Sequence, residues 1–196
     1  MKSVMISIRP EWCAKIANGE KTIEVRTTKP KLETPFKCYI YCTKGFPMLW
    51  KDAEKVFMAD SKYEWLHFTP APLNGKVIGE FVCDAIFVDK TFGHDSMLYT
   101  AACMEAADVA AYCVNSEMYG WHISDLIIYD KPKNISEFIA PSETGCCNEG
   151  TCKGCFYFER GNGFNLEDDC TADFDTDMFS PVRRAPQSWC YVKKGR

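Results

Sequence analysis

Residues 6–29 read I-S-I-R-P-E-W-C-A-K-I-A-N-G-E-K-T-I-E-V-R-T-T-K and hold more structural punctuation than any other stretch of the chain. Residues 3–9 predict an opening strand. Pro10 suits the first position of a helix, where its missing N–H costs nothing, and Trp12 and Ile16 fall on one helical face. Gly19 predicts the left-handed cap that ends the helix. Residues 21–28 are dense in β-branched side chains and predict a second strand. Period two then separates Ile23 and Val25 from Thr22, Glu24 and Arg26, so a hydroxyl, a carboxylate and a guanidinium share one face at spacings of about 7 Å. Lys21 stands at the mouth of that strand. A fold built on this unit has a polar strand face beside a buried apolar one.

Downstream, residues 36–42 predict a third strand and residues 46–68 a helical excursion. Residues 69–75 read as a Pro/Gly loop. Residues 76–88 form the longest strand candidate, with Gly79 marking a bulge or a close backbone approach. Residues 100–114 predict an alanine-rich helix, and residues 120–129 a strand that Lys131-Pro132-Lys133 ends. Residues 187–192 predict a closing strand. Five or six short strands with one or two helices, not regularly alternating, predict an α+β or mainly β fold: a small mixed barrel with flanking helices. The expected organisation is a barrel over residues 1–142, a cysteine-rich acidic insertion over 143–180, and a closing strand with a basic tail over 181–196.

Composition narrows the class. The chain has 196 residues, 46% hydrophobic and 14% aromatic, which argues against general disorder. No apolar run approaches the roughly 18–20 residues that span a bilayer, and the N-terminus has too short an apolar core for an export signal, so no membrane partner and a cytoplasmic location are expected. Charge is uneven. Residues 1–51 carry ten Lys/Arg against four Asp/Glu, and residues 181–196 carry five basic residues and no acid. Residues 143–180 carry nine acids against two bases, and residues 52–142 fourteen against six. If the two basic ends meet in the fold they form a positive patch suited to phosphates; a merely solvated charged surface is the alternative.

Twelve cysteines divide into two populations. Cys38, Cys42, Cys83, Cys113 and Cys190 sit in apolar surroundings, as small core residues do. Cys146, Cys147, Cys152, Cys155 and Cys170 crowd into one acidic stretch poor in apolar residues. The Cys152-x2-Cys155 knuckle presents two sulfurs to one metal. Cys147, or Cys146 in its place, together with Cys170 completes a four-thiolate set, and structural zinc is the expected cofactor. An iron–sulfur cluster or free thiols are the alternatives.

Ser7-Ile8-Arg9-Pro10 followed by Ile16-Ala17-Asn18-Gly19-Glu20-Lys21-Thr22-Ile23-Glu24-Val25-Arg26 resembles the signature of ASCH domains, a branch of the PUA-like β-barrel superfamily. Val77-Ile78-Gly79-Glu80-Phe81 looks like the family's central strand. Trp121-His122-Ile123-Ser124-Asp125-Leu126 and Pro186-Gln187-Ser188-Trp189-Cys190-Tyr191-Val192 look like segments of bacterial and prophage members. The resemblance covers roughly residues 3–140 and 183–192. It implies a five- to six-stranded barrel with a cleft lined by Lys21, Thr22, Glu24 and Arg26, and an RNA or modified-nucleoside partner. A few small members are similar to amidohydrolases of N4-acetylcytidine, which use a lysine and a threonine of this motif with a separate glutamate. Here the position matching that threonine is Glu24, and Glu105 is the candidate for the separate glutamate.

Three functions follow as expectations. The first is binding of RNA or a modified nucleoside through Arg9, Lys21, Thr22, Glu24 and Arg26, with Trp121 and His122 stacking on or hydrogen-bonding a base. The second is hydrolysis of an acylated nucleoside, with Lys21, Thr22 and Glu24 as its catalytic groups. The third is a protein-interaction adaptor acting through residues 143–180. Each residue also has a structural alternative. Glu24 and Arg26 can brace the barrel as an ion pair, Trp12 and Trp121 can be core, His122 a satisfied polar residue, and Lys21 a solvated edge lysine.

Overall fold

Strand β1 (Ser3–Ile8) is buried along its whole length, and the reason lies in what covers its two faces. Val4, Ile6 and Ile8 point into the main core with Cys38, Ile40 and Cys42 of β3 (Phe36–Cys42) and with Cys13 and Ile16 of helix α1 (Pro10–Ala17). Met5, Tyr39 and Tyr41 point the other way, into a smaller core closed by Phe138, Val182 and Val192. A strand covered on both sides has no polar face to alternate. The computed structural model describes residues 3–52, 55–59, 72–89, 96–114, 117–141 and 179–195.

Helix α1 starts at Pro10, as expected, and its end is marked by Gly19 at φ +77°. The next strand, β2 (Ile23–Arg26), is shorter than the predicted 21–28. β1 and β3 pair in parallel, with α1 and β2 forming the crossover between them, and every other pairing described below is antiparallel.

The predicted helical excursion of residues 46–68 is corrected over its described part: β4 (Met48–Asp52) and β5 (Lys55–Ala59) form a hairpin. The sevenfold spacing of Leu49 and Val56 fits a helix or a hairpin equally, and tertiary contacts decide. The Asn18 side chain donates to the Val56 carbonyl at 3.0 Å and accepts from its N–H at 3.1 Å, occupying the edge of β5.

The predicted strand 76–88 is two, β6 (Val77–Cys83) and β7 (Ile86–Asp89). Likewise the predicted strand 120–129 is β8 (Met118–His122) followed by β9 (Ser124–Lys133), which runs through Pro132 rather than stopping before it. Both chains change sheets at the same level. β6 and β9 pair with each other in the large sheet, while β7 and β8 pair with each other and with β2 in a small one. The His122 N–H to Ala85 carbonyl bond (3.0 Å) and the Ile123 N–H to Thr22 carbonyl bond (2.9 Å) fix that corner. A strand passing from one sheet to another turns at such a break.

Residues 100–114 hold not one helix but α2 (Ser96–Ala102) and α3 (Ala106–Tyr112), separated by Cys103 at φ +52°. The chain then adds β10 (Phe138–Pro141), β11 (Phe179–Pro181) and β12 (Trp189–Lys194). The closing strand pairs with β1 through Ser3–Val192, Val4–Tyr191, Met5–Cys190 and Ile6–Trp189, so the two basic ends of the sequence lie side by side. The large sheet has the order β11-β10-β12-β1-β3-β6-β9, the small sheet β2-β8-β7. The protein is thus a mixed, sheet-dominated α+β fold with few helices. It has more strands than the five or six legible in sequence, because long candidates split and one excursion is a hairpin.

Gly79 does what its position in β6 predicts. The register with β9 shifts there, and a Cβ would run into the Ile127 carbonyl oxygen and the Ile128 side chain. No described helix is long and apolar enough to cross a membrane.

Candidate functional site

The polar face of β2 carries the chemistry. Ile23 and Val25 pack with Leu98, Tyr99, Ala102 and Val109 from α2 and α3, which turns Glu24 and Arg26 the other way. All three ionisable residues of the motif are buried: Lys21 is 2% exposed, Glu24 5% and Arg26 8%. The Arg26 guanidinium meets Glu24 Oε1 at 2.9 Å and donates to the Ser7 carbonyl at 2.6 Å. Lys21 Nζ lies 3.7 Å from Glu24 Oε2, donates to the Ala102 carbonyl at 2.6 Å, and sits 5.1 Å from the Trp12 ring centroid.

Two cations therefore share one carboxylate in a desolvated setting. Burial pulls the Lys21 pKa below its ordinary 10.5, with Glu24 opposing the shift. The Glu24 oxygens are committed to Arg26 and Lys21, whereas Arg26 Nε is buried without a hydrogen-bond partner among the described residues. The spare capacity of the cluster is donor capacity, so it is matched to an acceptor.

The cluster forms the floor of a cavity of about 650 Å³. Its walls come from distant parts of the chain: Arg9 and Trp12 at the start of α1, Thr43 after β3, Met104, Asp108 and Tyr112 around α3, and Pro186 and Gln187 before β12. The Ser7 hydroxyl donates to the Pro186 carbonyl at 2.7 Å and holds that last wall in place. Aromatic and thioether surface above a donor-rich floor, in a volume within the usual range for small-molecule pockets, suits a planar polar ligand.

Of the residues singled out from sequence, Arg9, Lys21, Glu24 and Arg26 are brought together at this cavity. Thr22 is exposed and is not among the lining residues; its backbone instead bonds to Ala101 and Ile123. Trp121 is fully buried, edge-on to Phe36 at 5.7 Å and 6.0 Å from Trp189. His122 bonds through Nδ1 to Asp84 at 2.6 Å, away from the cavity, and that bond holds the Asp84 carboxyl below the usual range. Glu105 is exposed just before α3. Asp108, Tyr112 and Gln187 were not legible as site residues, because only the fold returns α3 and the pre-β12 turn to the end of β1. Cys146, Cys147, Cys152, Cys155 and Cys170 lie outside the described residues.

No protein-family model and no curated protein matches the chain. Among solved structures it is similar to the ASCH protein of Zymomonas mobilis, with 19% identity and a TM-score of 0.44 over 68% of this chain and 74% of that one. Two variants of the same protein match comparably, at 20% identity and TM-score 0.43 over 68% and 74% of the two chains, and at 17% and 0.42 over 69% and 77%.

Proposed function

We propose that this chain is an ASCH-type, PUA-like module that receives a nucleoside, free or as one nucleotide of an RNA, in the cavity above Lys21, Glu24 and Arg26. The observation that carries this reading is the buried cluster itself: two cations sharing one carboxylate, with Arg26 Nε lacking an acceptor, under walls that include Trp12 and Tyr112. A heterocycle fits between such walls and offers carbonyl or ring-nitrogen acceptors to such a floor. Thr22 flanks the cluster at the entry of β2. Trp121 supports β2 from its paired strand, since Glu24 and Trp121 are register partners. Calorimetric titration with cytidine, N4-acetylcytidine and uridine tests the reading. Saturable binding that Lys21→Met or Arg26→Gln weakens at least tenfold supports it, and absence of binding at millimolar nucleoside contradicts it.

A second reading, hydrolysis of an acylated nucleoside, is favoured by one observation. Burial lowers the pKa of Lys21, which favours the neutral amine that a general base requires, and its amine stands 3.7 Å from Glu24. In that reading water adds to the acyl carbon, the C–N bond breaks, and the carboxylic acid and the free exocyclic amine are released. Release of cytidine from N4-acetylcytidine, lost in Lys21→Met, supports hydrolysis, and an unchanged substrate after prolonged incubation excludes it. The thiolate set of residues 143–180 is proposed to hold zinc. Elemental analysis of the anaerobically purified chain tests this, one zinc per chain being the expected value.

A further inference from the structure

The cavity wall contributed by α3 differs in kind from the floor. The Lys21 ammonium donates at 2.6 Å to the carbonyl of Ala102, the last residue of α2, so a floor group holds the end of that helix. Cys103 at φ +52° then turns the chain, and Met104, part of the lining, leads into α3. Val109 and Cys113, both fully buried, anchor α3 in the core it shares with Ile23 and Val25. Asp108 and Tyr112 are four residues apart, hence one above the other on a single helical face, and that face lines the cavity. Both are exposed, Tyr112 to 47%, whereas Lys21, Glu24 and Arg26 are buried. Helix α3 therefore supplies the mouth of the cavity.

Donors and acceptors are sorted by depth. Of the two carboxylates in the lining, Glu24 is committed to Arg26 and Lys21. Asp108 has no ion pair or side-chain hydrogen bond among the described residues. Exposed Arg9, the other uncommitted charge of the lining, is a donor only. The cavity thus offers donors at its floor and one uncommitted charged acceptor at its mouth. A nucleoside has the matching polarity: its base carries planar carbonyl and ring-nitrogen acceptors, and its sugar carries hydroxyl donors. With the base seated inward against Tyr112, the ribose is left at the mouth. Side chains one helical turn apart have Cβ atoms about 5–6 Å from each other, which puts Asp108 within reach of the sugar of a ring stacked on Tyr112.

We propose that Asp108 is a specificity-determining residue of the cavity, accepting a hydrogen bond from the 2′-hydroxyl of a ribonucleoside, so that the site takes ribonucleosides in preference to their 2′-deoxy counterparts. This inference rests on the nucleoside reading of the cavity. A carboxylate is the side chain that reads a ribose hydroxyl at dinucleotide sites as well, for the same reason: it accepts and cannot donate. At the mouth water solvates the Asp108 carboxylate until a ligand arrives. A ribonucleoside replaces that water with its own donor, whereas a 2′-deoxynucleoside displaces it and returns only a C–H. The 2′-hydroxyl is also the group by which a protein separates RNA components from DNA components. Glu24 cannot take this part, because both of its oxygens are engaged at the floor.

The test is calorimetric titration of the full-length chain with cytidine and with 2′-deoxycytidine, in the parent, in Asp108→Ala and in Lys21→Met. Position 108 is exposed within a helix, where alanine is the best helix former, so Asp108→Ala keeps the fold. The parent is expected to bind cytidine about tenfold more tightly than 2′-deoxycytidine, the order of one hydrogen bond to a charged group. In Asp108→Ala that ratio is expected to fall to within about twofold, through loss of cytidine affinity with 2′-deoxycytidine nearly unchanged. Lys21→Met, a change at the floor, is expected to weaken both nucleosides and to keep the ratio. Equal affinity of the parent for the two nucleosides overturns the proposal. So does a ratio that survives in Asp108→Ala, which places the sugar against another wall. Equal weakening of both nucleosides in Asp108→Ala also overturns it, since Asp108 then contacts the base. In each of those three results cytidine still binds and the cavity reading stands, whereas absence of binding by both nucleosides overturns the two together.

Discussion

Replacing Glu24 by glutamine removes the only charge between two buried cations and leaves the volume nearly unchanged. At the observed separations of 2.9 Å to Arg26 and 3.7 Å to Lys21, an effective dielectric near 20 gives gross attractions of about 6 and 4 kcal/mol. Most of that sum offsets the desolvation of three ions. What remains on deletion is the cost of stranding buried charge, for which about 3–5 kcal/mol is the usual loss. In a domain of this size each kcal/mol moves the melting temperature by about 2–4 °C, so Glu24→Gln is expected to melt about 6–20 °C below the parent. Its pH dependence carries a sign. Burial already holds folded Lys21 below 10.5, and Glu24 opposes that shift. Without Glu24 the folded pKa falls further. Between that value and 10.5 the unfolded chain binds more protons, so stability rises with pH and the deficit of the variant shrinks as pH climbs from neutrality towards 10.5. Adding Lys21→Met to Glu24→Gln recovers part of the loss. Thermal and urea melts followed by tryptophan fluorescence at several pH values measure all three effects. A Glu24→Gln variant within about 0.5 kcal/mol of the parent, the range of ordinary surface substitutions, would refute the account of the floor as a charge cluster dependent on its carboxylate.

Further expectations follow from particular side chains. Gly79→Ala places a methyl against the Ile127 carbonyl and is expected to cost about 1–3 kcal/mol or more in thermal melts, as overpacking does. Trp121→Ala empties a fully buried site behind β2 and is expected to cost about 3–5 kcal/mol, read from the shift of the urea midpoint. Glu80 is held below its ordinary 4.5 by Lys37 and Tyr129, whose hydrogen bonds outweigh burial. Its contribution is therefore present above pH 4.5 and lost as pH falls through the folded value, and Glu80→Gln is expected to flatten the acid limb of stability against pH. Burial raises the thiols of Cys13 and Cys38 well above 9.0, so mass-spectrometric mapping of brief alkylation of the native chain is expected to find both unmodified.

The sequence was most informative where short-range chemistry decides. Pro10, Gly19 and the β-branched run after it fix the opening strand–helix–strand unit, and Gly79 announces its own close contact. Alternation also sorted Glu24 and Arg26 from Ile23 and Val25 correctly. What it could not sort was the environment of Lys21, since a lysine at a strand mouth becomes a buried floor residue only when the Ala102 carbonyl arrives from α2. The remaining differences share one cause. Residues 76–88 and 120–129 are locally uniform strands, and their breaks at Asp84–Ala85 and Ile123 come from the two sheets they must join. The hairpin of β4 and β5 is settled by the side chain of Asn18, some forty residues away. Asp108, Tyr112 and Gln187 reach the cavity through topology alone.

A crystal structure of the chain soaked with N4-acetylcytidine tests directly whether the cavity over Lys21, Glu24 and Arg26 is the ligand site. The base is expected between Trp12 and Tyr112, with one of its acceptors within hydrogen-bonding distance of the Lys21 or Arg26 side chain. A well-ordered nucleoside bound elsewhere on the chain, with the cavity still occupied only by solvent, would contradict it.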